Sequence, residues 1–117
     1  MLESKIQKNI IQYLKHKRVY YLRFQAQSNL NGIPDILCLY NGLFLGLELK
    51  TDKGTPTELQ LRKLKSINDN GGIGLIIRNV EELDELFKII DKHKKDLYFD
   101  MSSKDIVNEW RKLYEKK

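Results

Sequence analysis

Apolar positions recur along this chain with two periods, and the switches between them predict its elements. Ile6, Ile10, Tyr13 and Leu14 stand at i, i+4, i+7 and i+8, with Lys5, Lys8 and Lys15 interspersed. That is the stripe of an amphipathic helix over residues 2–16. From Arg18 to Gln25 the run Val-Tyr-Tyr-Leu-Arg-Phe is β-branched and aromatic, which predicts a strand. A polar stretch from Gln27 to Gly32 then reads as a loop. Two apolar runs follow, Ile36–Tyr40 and Leu43–Leu49, separated only by Asn41-Gly42. Asn-Gly between such runs signals a hairpin, because a type I′ turn needs positive φ at both central residues.

The second half returns to the helical period. Thr55-Pro56-Thr57-Glu58 offers an N-cap, a proline at N1 and a capping-box acid at N3. Thr57 and Gln60 fit a competing box. The helix so begun is expected to run to about Asn70, with Leu59, Leu64 and Ile67 toward the core and Gly71 ending it. Ile73–Arg78 is a short apolar strand. Asn79 and Glu82 open another helix, whose stripe is Leu83, Leu86, Phe87 and Ile90. Ser102 or Ser103 caps a last helix in which Ile106, Trp110, Leu113 and Tyr114 share a face. The order α-β-β-β-α-β-α, plus a C-terminal helix, predicts an α/β fold: a central mixed sheet flanked by helices. Strands that are apolar on both faces are expected to lie centrally, covered on each side. Residues 1–95 form the predicted domain, and 96–117 a helical extension packed on it.

Composition narrows the class without choosing a function. The chain has 117 residues, 41% hydrophobic and 32% charged, which suits one globular domain. No apolar run approaches the ~20 residues needed to span a bilayer. The opening Met-Leu-Glu-Ser-Lys lacks a secretory apolar stretch, so an intracellular protein is expected. One cysteine, Cys38, excludes an internal disulfide and a cysteine-rich zinc site. A formal charge of +5 favours a polyanionic partner only mildly.

Sharper chemistry comes from the hairpin register. With Asn41 and Gly42 as the loop, Tyr40 faces Leu43, so Asp35 falls directly opposite Glu48. Opposed residues have Cβ atoms about 5 Å apart, where like charges destabilise. Lys50 leaves the same face as Glu48, and the neighbours there are Leu37, Leu39, Phe44 and Gly46. A divalent cation relieves such a pair of acids, and all-oxygen ligation suits Mg²⁺ or Mn²⁺. The lysine can orient or deprotonate a water, or offset charge on a phosphate. Taken singly, Asp35 also reads as a turn residue, and Glu48 with Lys50 as a solvated pair.

Pro34-Asp35, twelve residues, then Glu48-Leu49-Lys50 resembles the PD-(D/E)xK motif of restriction-endonuclease-like nucleases. With Gly32-Ile33-Pro34-Asp35 before the hairpin and Thr55-Pro-Thr-Glu-Leu-Gln60 after it, the run resembles the VRR-NUC domain. The likeness spans residues 3 to about 90. It implies that Asp35, Glu48 and the backbone carbonyl of Leu49 bind the metal, with help from Glu3. It implies further that Lys50 positions or activates the attacking water, and that Gln60 helps hold the site. The implied activity is hydrolysis of DNA phosphodiester bonds, with relatives acting on branched or flapped DNA and Holliday junctions. Without the likeness, Gln60 also reads as a surface residue. Glu3 lies ~20° around the helix from Ile10, yet an acid in a first helical turn is favoured by the helix dipole alone.

Substrate contacts are expected from Arg23, Lys53 and Arg62, with Ser28, Asn29 and Asn31 on the loop before the hairpin; such cations supply affinity without sequence information. A branched substrate would suit a homodimer, with Trp110, Tyr114 or the last helix at the contact. Other residues read as structural. Cys38 is a small buried hydrophobe, His16 and His93 sit at Lys-rich helix ends, and Trp110 anchors the last helix or a subunit contact. Lys92–Lys95 is a solvated helix end, and Gly71-Gly72-Ile73-Gly74 leads into a strand rather than a phosphate loop. The leading reading is a metal-dependent, structure-selective DNA endonuclease. Its alternatives are a non-catalytic nucleic-acid-binding module on the same fold and a protein-interaction domain.

Overall fold

A computed structural model describes residues 2–24, 32–93 and 103–114. The elements are α1 (Glu3–His16), β1 (Tyr20–Arg23), β2 (Ile36–Tyr40), β3 (Leu43–Leu49), α2 (Glu58–Asp69), β4 (Ile73–Ile77), α3 (Val80–Lys92) and α4 (Ser103–Tyr114). They follow the order expected from the periodicities. The strands form one mixed sheet, β1-β2-β3-β4: the first two pairings are antiparallel, and β3 runs parallel to β4. A parallel neighbour requires a crossover, and α2 supplies it.

The hairpin has the register its two-residue loop dictates, with Tyr40 opposite Leu43 and Ile36 opposite Leu47. Asn41 at φ +50° and Gly42 at φ +83° give the two positive φ values. Alternation then sorts the side chains. Ile36 and Cys38 join Leu45, Leu47 and Leu49 in a buried cluster beneath Ile6, Ile10 and Leu14 of α1 and Leu83, Phe87 and Ile90 of α3. Tyr40 continues that face: its ring stacks on Phe87 at 3.9 Å, and its hydroxyl donates to Asp91 at 2.8 Å. Tyr13 of α1 donates to Asp84 at 2.6 Å, joining the two helices. Cys38 is buried, as expected, and burial pushes its thiol up to about 12.

The opposite face carries α2, packed on β4 and β3. A side chain at Gly46 would run into Ile67, so glycine there lets the helix approach. Asn68 bonds both backbone groups of Gly74, accepting at 2.8 Å and donating at 3.0 Å, which ties α2 to β4.

Three expectations shift. First, β1 begins at Tyr20 rather than Arg18, because Arg18 and Val19 close α1. Arg18 adopts φ +59°, and Arg18 N–H and Val19 N–H bond Lys15 O and Leu14 O, each at 3.0 Å. Second, α2 is capped by Thr57, not Thr55, so Pro56 precedes the helix and Glu58 is its first residue. Third, cover on the second face is partial: α2 covers β3 and β4 but not all of β1–β3. A single helix cannot span four strands, and Leu22, Leu39 and Phe44 stay exposed on the α2 face of β1–β3.

Trp110 and Leu113 on α4 are exposed in the single chain. Ser102, Lys94 and Lys95 lie outside the described residues. No described helix is long and apolar enough to cross a membrane.

Candidate metal centre

The open end of the hairpin gathers three acids from three elements. Glu48 lies on the even-numbered side of β3, the side facing α2. Continuing the β2–β3 register by one residue sets Asp35 opposite it. Asp35 is fixed through backbone and side chain: its carbonyl accepts from Phe24 N–H at 2.9 Å, and its Oδ2 from Leu49 N–H at 2.8 Å. Glu3 opens α1. One carboxylate oxygen from each of Glu3, Asp35 and Glu48 lies within 4.8 Å of the other two.

Burial grades across the trio. Glu3 is exposed, Asp35 half-buried, and Glu48 only 2% exposed. Glu48 Oε2 accepts from Gln60 Nε2 at 2.9 Å and has Lys50 Nζ at 3.9 Å. Its other oxygen, Oε1, is buried with no hydrogen-bond partner. Buried polar atoms nearly always have partners, and a cation bound by the acids would give this one its partner. Burial first, then the negative charge of Asp35 and a hydrogen bond the protonated carboxyl can make to it, push Glu48 up to about 8; Lys50 opposes the shift, and Glu3 adds least. At such separations like charges repel by roughly 3 kcal/mol per pair at an effective dielectric of about 20.

Gln60 does two jobs at once. As N3 of α2 its Oε1 accepts from Thr57 N–H at 2.9 Å, while Thr57 Oγ1 accepts from Gln60 N–H at 3.1 Å. The same amide's Nε2 then reaches Glu48. This explains the later helix start: the Thr57–Gln60 box closes with a tertiary bond that a Thr55–Glu58 box lacks. The cap orients the amide, and the amide orients the acid.

The donor set fits a hard divalent cation. All three side chains offer carboxylate oxygens. Their oxygens already lie within 4.8 Å of one another, close enough for a single ion to draw them together. Glu48 Oε1 supplies a desolvated ligand with nothing to give up.

Other candidate residues are distributed differently. Arg23, the register partner of Ile36, lies on the face covered by α1. Lys53 and Arg62 are exposed and make no hydrogen bond or ion pair among the described residues. Ser28, Asn29 and Asn31 lie outside the described residues. Arg78 escaped sequence reading: its Nη1 donates to the carbonyls of Thr51 and of Gly54, the latter at 3.1 Å, clamping the loop after Lys50. Lys50 N–H bonds Ile77 O at 3.2 Å, so the end of β4 holds both the lysine and its loop. Nothing in local sequence pairs Arg78 with a turn more than twenty residues away.

Neither a protein-family model nor a curated protein sequence matches this chain. A solved structure described as a "VRR_NUC domain" superposes with a TM-score of 0.53, at 23% identity over 82% of this chain and 97% of that one. The chain therefore shares the fold of that VRR_NUC domain.

Proposed function

We propose that this protein is a metal-dependent DNA endonuclease that hydrolyses phosphodiester bonds, acting preferentially on branched or flapped DNA. The observation that carries this reading is Glu48, a buried carboxylate with one unpartnered oxygen that belongs to a cluster of three acids. VRR_NUC likeness supports it.

Asp35, Glu48 and Glu3 would hold Mg²⁺ or Mn²⁺, aided by the carbonyl of Leu49. In extended chain the N–H and C=O of one residue leave from the same edge, and Leu49 N–H already points at Asp35. The bound ion would polarise the phosphoryl group and lower the pKa of an attacking water. Gln60 fixes Glu48 so that one oxygen stays free for ligation. Lys50, beside Glu48, orients the nucleophile or offsets charge gathering on the phosphate. Lys53 and Arg62 contribute phosphate contacts near the mouth. Such a small domain has little room to read a long sequence, which favours recognition of shape.

The test is cleavage of single-stranded, duplex, flap and four-way-junction DNA with Mg²⁺ and with Mn²⁺, by the wild type, Asp35→Ala and Lys50→Ala. Metal-dependent nicking, strongest on branched substrates and lost in both variants, is expected. Binding without cleavage under every condition would overturn the reading. A homodimer is the assembly we favour for a branched substrate. The exposed Leu22, Leu39 and Phe44, with Trp110 and Leu113 of α4, supply apolar surface for it. Sedimentation as a monomer at micromolar concentration would exclude it.

A further inference from the structure

Behind the acidic cluster, a groove of about 410 Å³ runs between α1 and the edge strand β1. Its walls carry three cations, Lys8, Lys15 and Arg23, together with the side-chain donors of Ser4, Gln7 and Gln12, and no acid among the described residues. We propose that this groove is a track for the phosphodiester backbone of a nucleic acid, binding the strand as it approaches or leaves the metal centre. The proposal rests on the nuclease reading only for what happens at the end of the track.

Position is the first argument. Ser4 directly follows Glu3, and Arg23 is the register partner of Ile36, the neighbour of Asp35. One end of the groove therefore adjoins the acids. The other end lies at Lys15, eleven residues along α1, or about 16 Å. A strand laid along it is held over more than one nucleotide.

Charge spacing is the second argument, and it chooses the ligand class. Lys8 and Lys15 are seven residues apart, about 10 Å along the helix. One small anion cannot meet both, whereas a chain of regularly spaced phosphates can. Neither lysine, nor Arg23, has a carboxylate partner among the described residues. Elsewhere on the surface, Lys65 pairs with Asp69 at 2.7 Å and Lys88 with Asp84 at 3.1 Å. The groove cations are thus available to a ligand.

The third argument is what the centre itself lacks. Glu3 and Asp35 bring negative charge to the mouth of the site, so affinity for DNA must come from flanking positive charge. Backbone contacts of this kind are insensitive to sequence and strongly dependent on salt.

The experiment compares two double variants of the full chain with equal charge change, Lys8→Gln/Lys15→Gln and Lys65→Gln/Lys88→Gln. Binding to labelled flap DNA is measured by anisotropy in EDTA, from about 50 to 200 mM salt. The groove pair is expected to weaken binding by roughly tenfold or more, and to flatten the slope of log K against log[salt] by up to about 1.8. The paired-lysine control should stay within about threefold of wild type with its slope unchanged. Equal losses in both variants, or none in either, would overturn the groove; so would DNA failing to bind at all. A loss confined to anionic lipid vesicles would reassign it to a membrane surface. Adding Mg²⁺ separates the two readings. Cleavage by wild type with no groove effect sinks the track alone, whereas a groove effect without cleavage sinks the nuclease alone.

Discussion

The two ends of one hairpin have opposite chemistry. At the turn, Asp91 of α3 accepts from Tyr40 Oη at 2.8 and 2.9 Å and from Asn41 Nδ2 at 2.8 Å, and Tyr40 stacks on Phe87. Both oxygens of that carboxylate have donors. At the open end, Asp35, Glu48 and Glu3 crowd together, and one oxygen of a buried carboxylate has none. Both ends belong to the same two strands in the same register. What differs is the surroundings: donors within the chain satisfy the turn end, whereas the open end holds like charges together. The turn end stabilises the fold, and the open end costs stability in the absence of a ligand.

Breaking the open end gives the largest expected effect. Glu48→Gln should lower cleavage by roughly a thousandfold or more, about 4 kcal/mol in the barrier, yet raise the melting temperature of the metal-free protein. The sign follows from the raised carboxyl. Between the usual glutamate value and about 8, the folded state keeps a proton that the unfolded state releases, so wild-type stability falls as pH rises. The advantage of the variant should therefore grow with pH across that window and level off above it, as read by denaturant melts in EDTA. If Glu48→Gln proves destabilising at pH 8, the open end is not under strain.

Next comes the turn end. Phe87→Ala removes the ring beneath Tyr40 and should cost about 3–5 kcal/mol of stability. The refolded variant should keep an intact metal centre and wild-type metal affinity by calorimetry. A loss of metal affinity as large as the loss of stability would mean the two ends are not separable.

Gln60→Ala probes the link between cap and site. It removes the bond to Glu48 and half of the capping box, so we expect metal affinity to fall about 10–100-fold and stability by about 1 kcal/mol. Gln60→Glu should restore the cap without restoring metal affinity, since a carboxylate cannot donate to Glu48. The smallest effect belongs to Gly42→Ala. Nothing crowds a side chain there, so only the positive φ resists it, at about 1 kcal/mol. Cleavage should be unchanged.

Much of this was legible because it is local. Asn41-Gly42 between apolar runs sets the register, and the register alone brings Asp35 to Glu48. Helix stripes named Ile6, Ile10 and Leu14, and Leu83, Phe87 and Ile90, as core. The resemblance around Pro34-Asp35 and Glu48-Leu49-Lys50 added Glu3, which lies with the other acids in space. The start of α2 was not legible: two Thr-x-x-acid/amide boxes compete, and a bond to Glu48 favours the second. The Arg78 clamp on Thr51 and Gly54 was invisible, as was the cationic groove, because each joins segments far apart in the chain.

By itself, then, the sequence determined the elements, the hairpin register and the chemical type of the site, since periodicity and turn stereochemistry act over a few residues. Tertiary structure decided which acid would be buried, which of its oxygens would lack a partner, and which lysines would share a groove. Desolvation and like-charge repulsion depend on what packs around a group, and that is fixed only when α1, α2 and the sheet come together.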